Sequence, residues 1–385
     1  MNRKQFIILL AFVVIIGTAG WLVHQRNRSS WQNDSAAIGQ KLLPRLAVND
    51  IAQITIKSGA GDLNLARRDH LWRVRERGDY PANFSQISEL LMKLADLKVA
   101  QSEEIGPLQL GRFELLPPGP AANAGTLVEL KDASGQLLNS VLLGKKHLKQ
   151  QAGNSPLPGM GDEGWPDGRY VLVGTGARNL AVISDPLDNV QPRPEQWLNK
   201  DFLAVEKPRM IAVQFPEATN SWQLTRASET NDWQLVGATS EEQLDSAKVS
   251  GVTSPLSSAA FSDVAALNTS NSPVGTTLTV ETFDGFTYVA RIGPNVNGNY
   301  PVAFAINADL AASRMVATNE PAADKARLDQ EFKARQQQLA DKLAREKVFE
   351  GWLYLLPAYS LDSQLKPKSQ LLLEAKKATP AAAGK

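Results

Sequence analysis

Within residues 51 to 100 the spacing of apolar side chains changes from two to that of a helix, and this change constrains the fold more than any other feature. Ile54 and Ile56, Leu63 and Leu65, and Trp72 and Val74 alternate, as strands with one buried face do. The intervening SGAGD and RRDH suit turns, so three short antiparallel strands are expected. Ile87, Leu90, Leu91, Leu94 and Leu97 then fall on one stripe of a helix, with Asn83 as its N-cap and Gln86 three residues on.

The same grammar returns in residues 210 to 237. Ile211, Val213 and Phe215 alternate, followed by Trp222 with Leu224 and by Trp233 with Leu235. The next helix is weaker: Val249, Val252 and Leu256 keep helical spacing, but Gly251 and Pro255 interrupt it. A hairpin around the turn Asp132 to Gly135 has a counterpart around Asp284 and Gly285 in residues 277 to 293. The predicted fold class is therefore α+β, two related antiparallel meander-plus-helix subdomains after a single N-terminal transmembrane helix. Trp72 and Trp233 are expected on corresponding third strands, as core indoles.

The transmembrane expectation rests on Phe6 to Val23, an uncharged run with Thr18 as its polar hydroxyl. As a helix it would span about 27 Å, close to a bilayer's hydrocarbon thickness. It has no small-x-small cleavage site at its exit, which favours an anchor over a removed signal peptide. Arg3, Lys4 and the terminal amine before the run slightly outweigh Arg26 and Arg28 after it and favour a cytoplasmic amino end. The expected location is the inner (cytoplasmic) membrane, single pass, with the body in the periplasm.

The expected order is an anchor with basic flanks (1–28), a tether (29–45), a first subdomain (46–195) and a second (196–320). A surface helix with a terminal strand (321–360) and a mostly disordered tail (361–385) follow. Leu328, Phe332, Leu339 and Leu343 form the narrow stripe of the surface helix. IGPLQLGRFELLPPGPAANAG reads as a connection, and residues 150 to 168 as a polar loop rich in Gly and Pro.

Chemistry is sparse. The 385 residues contain no cysteine, which excludes disulfides, thiolate metal sites and cysteine nucleophiles. A formal net charge of +1 gives no electrostatic footprint for nucleic acid. Histidine occurs at His24, His70 and His147, with neither a G-x-S-x-G elbow nor an HExxH pair. Asp162, Glu163 and Asp167 miss the spacing of a calcium loop, and GTGAR at 174 to 178 lacks a Walker lysine. No catalytic, cofactor-binding or metal-ligating residue is assigned, and no cofactor is expected.

Ile51, Ile54, Ile56, Leu63, Leu65, Arg67, Trp72 and Val74, followed by the Tyr80–Pro81 turn, the Leu-rich helix and the second copy of the strand pattern, carry a family resemblance. With the membrane helix, they resemble a bacterial domain family of unknown function whose members are commonly encoded beside ABC transporter components of the gliding-motility auxiliary type. The resemblance covers roughly residues 46 to 360 and brings no catalytic residues. It implies a non-enzymatic accessory subunit of an ABC-type export or surface-assembly system. The expected partners are permease or auxiliary subunits, reached through protein or polymer binding, with the membrane contacted through residues 6–23. The alternative is an anchored envelope glycan hydrolase using dispersed carboxylates.

Overall fold

The computed structural model describes residues 38–149, 165–174, 179–316 and 320–373. Its chain divides into two units, residues 1–199 and 200–385. The architecture is α+β, with two antiparallel sheets and few helices. The expected membrane segment at residues 6–23 lies outside the described residues. Among those described, no helix is long and apolar enough to cross a membrane.

In the first unit, strands β1 (Gln53–Ser58), β2 (Gly61–Arg68) and β3 (Leu71–Val74) form the expected meander. After β4 (Tyr80–Pro81) comes helix α1 (Phe84–Asp96), whose first turn is capped where Asn83 Oδ1 accepts from the Gln86 amide at 3.2 Å. Then follow β5 (Val99–Glu104), β6 (Thr126–Lys131), β7 (Leu137–Lys149), β8 (Trp165–Val173) and β9 (Asn179–Ile183). The loop expected over residues 150 to 168 thus gives its last four residues to β8. The sheet order is β4-β3-β2-β1-β6-β7-β8-β9-β5.

One face of this sheet carries Ile54, Ile56, Leu63, Leu65, Val128, Leu130 and Val141, all at or below 1% exposure. Helix α1 turns Ile87, Leu90, Leu91 and Leu94 inward, each worth roughly 1.5–3 kcal/mol of burial. The segment read as a connection covers part of the other face: Ile105 and Leu115 pack with Leu172 and Leu180, against Phe113, Leu142 and Tyr170. A β-carbon at Gly144 would strike the Phe113 carbonyl, so this close approach requires glycine. Polar spacing hid this layer because its apolar residues follow neither period.

The second unit contains β10 (Pro208–Gln214), β11 (Trp222–Thr225), β12 (Gln234–Leu235), α2 (Ser246–Ser250) and β13 (Asp263–Ala266). These lead into β14 (Thr276–Thr282), β15 (Phe286–Ile292), β16 (Asn299–Ala308), α3 (Ala322–Glu346) and β17 (Trp352–Pro357). The order is β12-β11-β10-β14-β15-β16-β17-β13. Matched strand for strand, it repeats that of the first unit, apart from the two-residue β4.

Two expectations change here. Trp233 lies outside β12, only partly buried under the Arg226 guanidinium at 4.7 Å, whereas the buried indole is Trp222, donating from Nε1 to the Lys366 carbonyl at 2.8 Å. The tail expected to be mostly disordered from residue 361 is held as far as Leu373, whose amide donates to the Gln243 carbonyl at 2.9 Å. Leu361 and Leu371 are fully buried, and Leu372 bridges to Leu244. Leu371 sits at the start of α2, where its carbonyl accepts from the Asp245 amide at 2.9 Å.

Candidate functional site

A concavity in the first unit lies between α1 and the loop 187–197, with a volume of about 360 Å³. Leu90, Leu187, Val190 and Trp197, each 5% exposed or less, make its floor. Gln86, Glu89, Lys93, Asp188, Asn189 and Gln196 make its rim.

Arg169, reaching from β8, fixes the loop's start. Its Nε donates to the Gly144 carbonyl at 2.8 Å, and Nη1 donates to the Pro186 and Leu187 carbonyls at 3.2 and 3.3 Å. Burial lowers the pKa of this guanidinium, an effect opposed by the charges of Asp188 and Glu114. Asp185 Oδ1 accepts from the Leu187 amide at 2.8 Å, and Leu187 itself takes a left-handed φ of 49°. That conformation is strained for a branched residue and persists only where neighbours enforce it. At the loop's end, Trp197 donates from Nε1 to the Gln191 carbonyl at 3.1 Å, while its own carbonyl accepts from the Asn83 amide at 2.8 Å. The N-cap of α1 and the cleft floor are therefore joined.

The rim charges are paired. Lys93 lies 3.0 Å from Glu89 and 3.7 Å from Asp185, and the hydrogen bond to Glu89 followed by the charge of Asp185 raises its pKa. Asp188 pairs with Lys146 at 2.5 Å. Each rim carboxylate has a lysine against it, whereas a glycosidase's acid needs a carboxyl kept protonated. An apolar floor with a satisfied polar rim suits holding a side chain or chain segment better than moving a proton.

The residues weighed from sequence do not converge on this cleft. His70 is exposed in the β2–β3 turn at φ 64°. His147 Nδ1 lies 2.6 Å from Asp167 Oδ1 and its ring meets Tyr170 edge-on at 5.6 Å between centroids. This orients an imidazole, but among the described residues its ring has no hydroxyl nucleophile in hydrogen-bond reach. His24, Asp162, Glu163 and residues 175–178 lie outside the described residues. Among those described, no three His, Asp or Glu side chains gather to hold a metal. Arg169, Leu187 and Val190 were not singled out from sequence.

Comparisons with family models, with curated proteins and with solved structures gave no match.

Proposed function

We propose that this protein is a membrane-tethered, non-enzymatic accessory subunit of an ABC-type export or surface-assembly system, and that its body binds a protein or polymer partner. Residues 6–23 would hold it in the inner membrane with the body in the periplasm, raising the local concentration of the body beside the transporter. We further propose that the two units are copies of one ancestral meander-plus-helix scaffold, since their strand orders match. The observation that carries a binding role is the cleft beside α1: its apolar floor is preformed and its rim charges are neutralised. The resemblance stated above supports the transporter as partner.

Co-purification of the full chain from detergent-solubilised membranes tests this. A permease or auxiliary subunit should be retained across several mild detergents. Recovery of the body alone in all of them would refute the proposal.

A further inference from the structure

Each unit closes on the residues just before its own helix, and it does so through the same three contacts. In the first, Asn83 N donates to the Trp197 carbonyl at 2.8 Å, Ala82 bridges to Leu198, and Asn199 N donates to the Pro81 carbonyl at 2.9 Å. In the second, Asp245 N donates to the Leu371 carbonyl at 2.9 Å, Leu244 bridges to Leu372, and Leu373 N donates to the Gln243 carbonyl at 2.9 Å. Asn83 and Asp245 are also the two N-caps. Counted from these contacts, Ile87 falls on Val249, Leu90 on Val252 and Leu94 on Leu256, all 5% exposed or less. Leu187 falls on Leu361 and Trp197 on Leu371, and these are as well buried. The scaffold under the cleft is therefore common to both units.

The helix wall of the cleft is not. Glu89 and Lys93 fall on Gly251 and Pro255, where α2 has already ended, and Val190 of the apolar floor falls on Gln364. The first unit alone extends its helix beside the closing loop, so the cleft is an addition to the scaffold rather than its by-product.

The rim of that cleft separates two kinds of polar group. Its charges are committed, Lys93 to Glu89 and Asp185, and Asp188 to Lys146. The side-chain amides of Gln86, Asn189 and Gln196 have no hydrogen-bond partner among the described residues. Each holds a donor beside an acceptor, the same pair that a peptide unit offers. An ionic ligand would lose its water without meeting a free counter-charge, a loss larger than a hydrogen bond returns. A sugar ring stacks on an exposed aromatic face, whereas Trp197 is 3% exposed and donates its Nε1 hydrogen to the Gln191 carbonyl. A volume of about 360 Å³ is near the low end for ligand pockets and suits a short stretch of chain.

We propose that the occupant of this cleft is an extended, uncharged peptide segment of the partner. One aliphatic side chain rests on the floor made by Leu90 and Val190, and the backbone beside it bonds to the free amides of Gln86, Asn189 and Gln196. This rests on the binding role of the cleft stated above and adds the chemistry of what it takes.

An array of acetylated heptapeptides with Leu, Val, Lys or Asp between Ala and Ser neighbours, printed beside chitooligosaccharides, tests this with the full chain in detergent. Leu and Val centres should retain at least about tenfold more protein than Lys or Asp centres, since a charge set on an apolar floor is uncompensated. Gln86→Ala combined with Gln196→Ala, both at exposed positions, should lower that retention about tenfold, the effect of two lost hydrogen bonds. Gln370→Ala, at the place of Gln196 in the second unit, should leave it unchanged. Equal retention by all centres, retention by none, or retention on the sugars that the double variant abolishes would overturn the inference. An equal loss in Gln370→Ala would do the same. If the full chain then still co-purifies a transporter subunit, the accessory role stands and the peptide chemistry alone has failed.

Discussion

The two units share a strand order and differ in how they cover it. In the first, a helix of 13 residues with an unbroken apolar stripe lies on the sheet. In the second the corresponding helix has five residues, yet Val249, Val252 and Leu256 beyond and within it are still buried. That unit also buries Leu361 and Leu371 and holds an aromatic group. Phe202 there meets Phe261, Phe304, Phe349 and Tyr354 at 4.8–5.7 Å between centroids. Insertions differ too. The first unit carries its long connection between β5 and β6, where it forms a second layer. The second carries α3 between β16 and β17. The difference teaches that strand pairing sets the scaffold, while the covering elements are interchangeable provided that they bury a similar apolar area.

Breaking the cover should therefore hurt each unit through a different part of the chain. Deleting residues 361–385 removes two buried leucines and the Lys366 acceptor of Trp222. It should cost about 5 kcal/mol or more, approaching a domain's whole stability. Limited proteolysis should then cleave the second unit and spare the first. If both sheets stay protected, the covering role of that segment is wrong.

Leu94→Ala, at a fully buried position of α1, should cost about 2–5 kcal/mol in urea unfolding, with a cavity as the cause. A cost below about 0.5 kcal/mol, the level of an ordinary surface change, would mean that α1 does not carry the cover of the first sheet.

A smaller effect sharpens the contrast at the caps. Asn83→Ala should lower stability by about 1 kcal/mol. Asp245, whose Oδ1 accepts from Ala247 and Lys248 at 3.0 and 3.4 Å, should respond similarly to alanine even though its helix is short. A cap loss confined to α1 would show that α2 acts as a turn.

The smallest effect concerns the inserted helix. Glu346, 7% exposed, accepts from Tyr288 Oη at 2.7 Å, with Lys342 at 3.8 Å. Burial raises its pKa, against the hydrogen bond from Tyr288 and the charge of Lys342. A carboxyl raised in the folded state contributes stability that is full below its unfolded pKa and is lost as pH rises through the folded one. Glu346→Gln keeps an acceptor for Tyr288 and should flatten that decline in melting temperature above the ordinary glutamate range. An unchanged pH profile would remove Glu346 as its source.

Much of this scaffold was legible because period-2 alternation and helical spacing are local signals. The meander of β1 to β3, Asn83 as a cap, both hairpins and the span of α3 followed from such patterns. Trp222 was not told apart from Trp233 as the buried indole, since both alternate with a leucine two positions on. Burial was decided by the remote carbonyl of Lys366. The second layer on the first sheet was hidden by its irregular spacing. The cleft was hidden because it depends on Arg169 meeting carbonyls 17 to 25 residues away and on the left-handed Leu187. Neither has a sequence period.

The central claim, a binding body whose first unit carries the contact, is tested most directly by site-specific photocrosslinking in intact membranes. A photoreactive residue at Asn189, on the rim of the cleft, is compared with one at Ser257, exposed after α2 in the second unit. The account predicts a crosslink to a transporter subunit from Asn189 and none from Ser257. Crosslinks from Ser257 alone, or none from either with the tethered full chain present, would contradict it.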